Sequence, residues 1–228
     1  VGAYARLIET LEEAGALDRR NDGLADAEAF ARRAAEGQGL TRPELAVLLS
    51  TTKLVLKDAI AASELVADPA ADALVLGDFP LQMQQGFRAQ LLAHRLRGPI
   101  VGTAVANRLV NRMGMIHPFE LAEEEGVGLA EVGAGFVTAA ALLGLEPLWE
   151  TLETTAMPEP ARLALFDAVA LALRGHIADL LRASGGAIAP QALQERLQPL
   201  VDTLSAQADS LPGEEARGAA AATAARLV

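Results

Sequence analysis

The sequence predicts an all-α fold, a multi-helix bundle of about eight or nine helices joined by short loops. Three observations predict it. Alanine and leucine dominate while aromatic residues make up only 4%, whereas strands favour β-branched and aromatic side chains. Glycine and proline divide the chain into stretches whose apolar residues recur at helical spacing. No stretch alternates apolar and polar residues as a half-buried strand does, and no fixed period points to a solenoid.

The elements follow in order. Tyr4, Leu7, Ile8 and Leu11 form the first apolar stripe, which ends at Gly15. After a polar loop, Asp26 is placed to cap a short helix carrying Phe30 and Ala34 and stopping near Gly37. "GLTRPELAVLLSTTKLVLKDAI" opens the next helix, which should reach about Ser63. Thr41 and Glu44 have the spacing of a capping box, in which hydroxyl and carboxylate each accept the other residue's backbone N–H. Leu40 and Leu45 flank the box, and Pro43 falls in the first turn, where a missing N–H costs little. Asp68 and Pro69 read as N-cap and first helical residue of a short helix closing near Gly77.

Phe87 to Met113 is the longest periodic stretch, and Pro99 in its middle predicts a kink or break there. Gly98, Gly102 and Ala106 recur every fourth residue, so another helix can approach closely on that side. Pro118 starts a helix ending near Gly126, and Ala130 to Leu143 forms another, stopped by Gly144. Pro147 opens a short helix with the only tryptophan, Trp149. Pro158 to Ala183 is a long apolar helix closed by Ser184-Gly185-Gly186. Pro190 opens a last amphipathic helix with a second kink expected at Pro199, followed by an alanine-rich tail expected to fray.

Bulk chemistry narrows the function. The 228 residues, 51% of them hydrophobic, suffice for a sizeable core. A formal net charge of −11 argues against nucleic acid and against an anionic membrane surface as partners. The longest apolar run, Phe136 to Leu145, is too short to span a bilayer and reads as a buried helix. Without cysteine there is no thiolate chemistry and no disulfide, which fits a reducing compartment, and a cytoplasmic location is expected. The chain opens directly on helical periodicity, as a fragment or a trimmed chain would.

Candidate sites are few. His94, His117 and His176 are scattered, and no pair has metal-ligand spacing. His94 reads as a hydrogen-bonded helix histidine and His117 as an N-terminal cap position. In "EEEGVGLAEVGAG" Glu131 stands where a dinucleotide fingerprint needs its third glycine, so a helix–helix turn is the better reading. Glu123, Glu124 and Glu125 are expected to be solvated. Arg88 and the set Arg95, Arg97, Asn107, Arg108, Asn111 and Arg112 share the longest stretch. That set is a possible docking face for carboxylates of a partner, the alternative being a solvated face. No catalytic, cofactor-binding or metal-binding residue is assigned.

Four blocks carry a family resemblance: "YARLIETLEEAGALDR", "GQGLTRPELAVLLSTTKLVLKDAI", "HRLRGPIVGTAVANRLVNRMG" and "LWETLE". In this order and spacing they resemble the C-terminal region of the large bacterial NAD-specific glutamate dehydrogenases. The resemblance covers roughly Tyr4 to Ala183 and fades beyond. It implies a helical C-terminal domain over residues 1–186, with terminal helices in 187–228 packed on the same bundle or partly mobile. The parent would oxidise L-glutamate to 2-oxoglutarate and ammonia with NAD, using catalytic and NAD-binding segments upstream, so no cofactor is expected in this stretch. The implied partners are the catalytic domain of the same parent chain and further copies of a homo-oligomeric parent. Two alternatives stand beside it: a stand-alone helical ligand-binding and dimerisation module, and a helical scaffold.

Overall fold

The structure is a computed structural model that describes residues 2–209. Among them are eleven α-helices and two short 3-10 turns, and no strand. The helices are α1 (Gly2–Glu13), α2 (Ala27–Ala35), α3 (Arg42–Ala61), α4 (Asp72–Gly77), α5 (Leu81–Leu92), α6 (Arg97–Met113), α7 (His117–Glu125), α8 (Leu129–Leu142), α9 (Leu145–Thr154), α10 (Glu159–Ala183) and α11 (Pro190–Asp209). The 3-10 turns, Glu64–Val66 and Pro69–Ala71, link α3 to α4. The count is roughly that expected, and the Phe87–Met113 stretch is two helices rather than one.

That stretch breaks before Pro99 rather than at it. The chain leaves α5 at Ala93 and turns through His94–Leu96, and α6 begins at Arg97. Pro99 then falls in the first turn of α6, where its absent N–H would have had no intrahelical partner. A second distortion lies at Phe87, whose φ of −133° and ψ of 26° interrupt α5. Pro199, by contrast, lies inside α11, which continues on both sides of it. The alanine-rich tail lies outside the described residues.

α3 and α6 form the spine. Gly98 and Gly102 bring the α6 backbone against α3, as their four-residue spacing predicts. A Cβ at Gly102 would stand 2.5 Å from the Lys57 carbonyl oxygen, and one at Gly98 would stand 3.0 Å from that of Ala61. α8 lies across this pair and is buried on most of its surface, with Gly133 facing Ile60 and Val105. Gly135, two residues on, faces Ile177 of α10. The main core gathers Leu56, Ile60, Val101, Val105, Leu109, Phe136, Trp149, Leu173, Ile177 and Leu181. Trp149, 1% exposed, stacks on Phe136 with ring centroids 6.1 Å apart.

A smaller core joins Leu7, Ile8 and Leu11 of α1 to Leu17, Leu24, Phe30 and Leu48. α3 belongs to both cores, through Leu48 at one end and Leu56 and Ile60 at the other. α11 packs on α8 and places Leu193 and Leu197 against the main core. Asp68 fixes its start. The carboxylate caps the Pro69–Ala71 turn by accepting from Ala70 N–H at 2.8 Å, and accepts from Gln191 N–H at 3.1 Å.

The α3–α6 approach is testable by thermal melting. Gly102→Ala should cost about 1–3 kcal/mol, since backbone must move to admit the methyl group. Gly98→Ala should cost less. Gly175→Ala, on α10 with nothing within 4 Å of the added carbon, should stabilise by about 0.5–1 kcal/mol.

Candidate interaction surface

The capping box at the start of α3 is present and does more than its spacing announces. Thr41 N–H donates to Glu44 Oε2 at 2.7 Å, and the Thr41 hydroxyl donates to the same oxygen at 2.8 Å. Glu44 N–H returns a long bond, 3.5 Å, to the Thr41 oxygen. Arg33 of α2 reaches both carboxylate oxygens at 2.8 and 3.0 Å, and Ala25 N–H donates at 3.3 Å. Glu44 is therefore a buried carboxylate joining α2, the preceding loop and α3. Burial pushes its pKa up, but the bonds from Thr41, Ala25 and Arg33 outweigh burial and hold it below the ordinary carboxylate value. Arg33 also lies over the Phe30 ring at 5.8 Å.

The arginines of the candidate docking set go to different places. Arg97 turns inward. Its guanidinium donates to the carbonyls of Val66, Leu92 and Asp68 and pairs with Asp72 at 2.8 Å, tying the start of α6 to three preceding elements. Arg108 pairs with Glu146 of α9 at 2.9 Å on the surface. Arg112 pairs with Glu153 and lies over the Trp149 and Phe166 rings at 5.1 and 5.8 Å. Asn111 accepts from Lys53 Nζ of α3 at 3.0 Å. Asn107 is half-buried, and Arg95 is exposed in the α5–α6 turn; neither has a polar partner among the described residues.

Arg108, Asn111 and Arg112 come together in an open cleft of about 820 Å³ between α6 and α10. His117 also lines it, and Leu163, Phe166 and Leu171 of α10 give it an apolar wall. Arg95 and Arg97 lie outside this cleft.

Other charged groups also act between helices. Glu124 pairs with Arg174 at 2.6 Å while staying exposed, as the sequence suggests, but Glu125 pairs with Arg182 at 2.7 Å with its side chain only 9% exposed, so it is not the solvated group expected. Nothing in the sequence marks these pairs, because their partners lie far along the chain in α10. Gly126 closes α7 in the left-handed region (φ +65°) and Gly128 precedes α8, which turns away by 110°. The glycine-rich segment is thus a helix–helix turn. His94 lies in the α5–α6 turn rather than on a helix; its Nδ1 accepts from Leu96 N–H, and its ring meets Phe79 edge-on. His117 is the first residue of α7 and does not cap it. Among the described residues no three His, Asp or Glu side chains are grouped to hold a metal, and no single helix is long and apolar enough to cross a membrane.

The model of the family described as "Glutamate dehydrogenase, C-terminal" matches residues 37–228. The chain belongs to that family. The match starts at the approach to the capping box and runs past Ala183, where the sequence blocks fade, through α11 and beyond it. Relatives of the glutamate dehydrogenase family carry the same name. The chain is 37% identical over 153 residues to the NAD-specific glutamate dehydrogenase of Halomonas elongata, which covers 67% of this chain and 10% of the relative. It is 34% identical over 165 residues to that of Pseudomonas aeruginosa (72% of this chain, 10% of the relative). Against that of Mycobacterium tuberculosis it is 30% identical over 171 residues (75% and 10%). It therefore spans about a tenth of the length of these curated relatives.

Two substitutions test the Glu44 node. Thr41→Ala removes the hydroxyl from the capping box and should cost about 0.5–2 kcal/mol in a melting curve, with Thr41→Ser costing less. Glu44→Gln should be destabilising at neutral pH. The folded-state pKa of Glu44 is lowered, so its contribution is complete above the unfolded value and is lost as pH falls through the folded value. The gap between wild type and Glu44→Gln should accordingly narrow as pH falls below the ordinary glutamate value. A gap that stays constant with pH would mean that packing, not the charge, is what the substitution removes.

Proposed function

We propose that this chain is the non-catalytic, helical C-terminal domain of a cytoplasmic NAD-dependent glutamate dehydrogenase. The parent enzyme converts L-glutamate, NAD and water to 2-oxoglutarate, ammonia and NADH. Its catalytic part, in the remaining length, binds NAD and carries the chemistry. This domain packs on that part, with a role in assembly or regulation of a homo-oligomeric parent.

One observation carries the packing role. Several arginines are bonded between the domain's own helices, while large apolar side chains are left outward, three each on α10 and α5. Leu163, Leu165 and Leu171 are exposed on α10, and Leu81, Met83 and Phe87 on α5. Exposed apolar surface of this kind marks an interaction site. Of the candidate docking residues, Arg95 is the cation best placed to meet a partner, being exposed and without a polar partner among the described residues. The length of the relatives favours this reading over a stand-alone ligand-binding module or scaffold.

The chain by itself should show no saturable NAD binding by calorimetry and no turnover of glutamate. Added to a parent enzyme truncated to lack this region, it should restore activity. Saturable NAD binding or turnover by the isolated chain would overturn the reading.

A further inference from the structure

We propose that α5 and the turn after it form the contact surface for the catalytic part of the parent chain, and that the occupant is a segment rich in carboxylates and apolar side chains. This rests on the packing role proposed above and names the surface that performs it.

This stretch lies within an acid-free run that extends from Phe79 to Phe119. The full sequence holds 30 Asp and Glu residues, yet "LQMQQGFRAQLLAHRL", from Leu81 to Leu96, holds none. Its cations, Arg88 and Arg95, are exposed and make no hydrogen bond or ion pair among the described residues. Arg97, Arg108, Arg112, Arg174 and Arg182 all have a carboxylate partner within the domain. The apolar side chains of the same stretch are turned outward: Leu81 is 62% exposed, Phe87 54% and Leu96 48%. Only Leu91 of α5 is buried. A helix of this length is marginal in water without packing, and α5 is also interrupted at Phe87. A covering partner would supply what the domain does not.

Arginine beside large apolar groups is the composition of an interface centre. The two unpaired guanidiniums call for carboxylates opposite them. A second copy of this surface cannot provide them, because a symmetric pair would place arginines together with no acid in the stretch to neutralise them. An anionic membrane is opposed by the net charge of −11. About nine-tenths of the length of the relatives lies outside this chain, and that is where the occupant is found.

The test uses the full-length parent enzyme with the photo-crosslinker p-benzoyl-phenylalanine at position 87, and separately at position 165 on α10. Position 87 should crosslink to an acidic segment of the catalytic part, mapped by mass spectrometry. Arg88→Glu/Arg95→Glu should then speed amide exchange in the 81–92 peptide by about tenfold or more, and carboxylate-to-lysine substitutions in the mapped segment should restore protection. Crosslinks from position 87 to another copy of α5, or to lipid, would overturn the proposal. So would unchanged exchange in the double variant. If position 87 gives no product while position 165 crosslinks to the catalytic part, the α5 surface is wrong and the packing role stands. If neither position gives a product, both readings fall.

Discussion

Backbone meets backbone where α6 crosses α3, and the rest of the bundle is arranged around that contact. Gly102 has no room for a side chain, because the Lys57 carbonyl oxygen occupies the place where one would begin. The approach brings Val101, Val105 and Leu109 of α6 into one layer with Leu56 and Ile60 of α3. α8 closes over this layer because Gly133 lets it settle on Ile60 and Val105, and α10 follows because Gly135 admits Ile177. Small residues thus set the distances, and the leucines and isoleucines fill what those distances leave.

Polar side chains then fix how the outer elements attach to this spine. Glu44 gathers α2, its loop and α3 through bonds that together outweigh the cost of burying a carboxylate. Asp68 serves the 3-10 turn beside it and the first turn of α11, far away in sequence. Arg97 binds three carbonyls and Asp72, which satisfies backbone acceptors where the chain turns between short helices. These groups stand at junctions where irregular backbone would otherwise be left unpaired.

The same internal use of charge shapes the outer surface. An arginine held by a glutamate of the next helix has little left to offer a partner, whereas Arg88 and Arg95 keep their full donor capacity. Cation and exposed hydrophobe coincide on α5 and its turn. The domain thus separates a spine held by close packing from an edge where Leu81, Phe87, Arg88 and Arg95 face outward.

By itself the sequence determined the class of fold, most helix boundaries, the capping box at Thr41 and Glu44, and the close-approach face of Gly98 and Gly102. These are local properties: caps, breakers and periodicity act over a few residues, and a glycine every fourth residue marks one helix face wherever the helix goes. The four blocks also carried the family, which the match over residues 37–228 establishes. Tertiary structure decided which groups meet. Periodicity runs through His94–Leu96 without a mark, so the end of α5 ahead of Pro99 could not be read from spacing. Glu125 looked solvated until α10 brought Arg182 to it, and Arg97 looked available until Val66, Leu92, Asp68 and Asp72 folded around it. An arginine's spacing along one helix places its backbone, but whether its guanidinium faces solvent or a carboxylate depends on residues tens of positions away, which only the packed bundle brings within hydrogen-bonding distance.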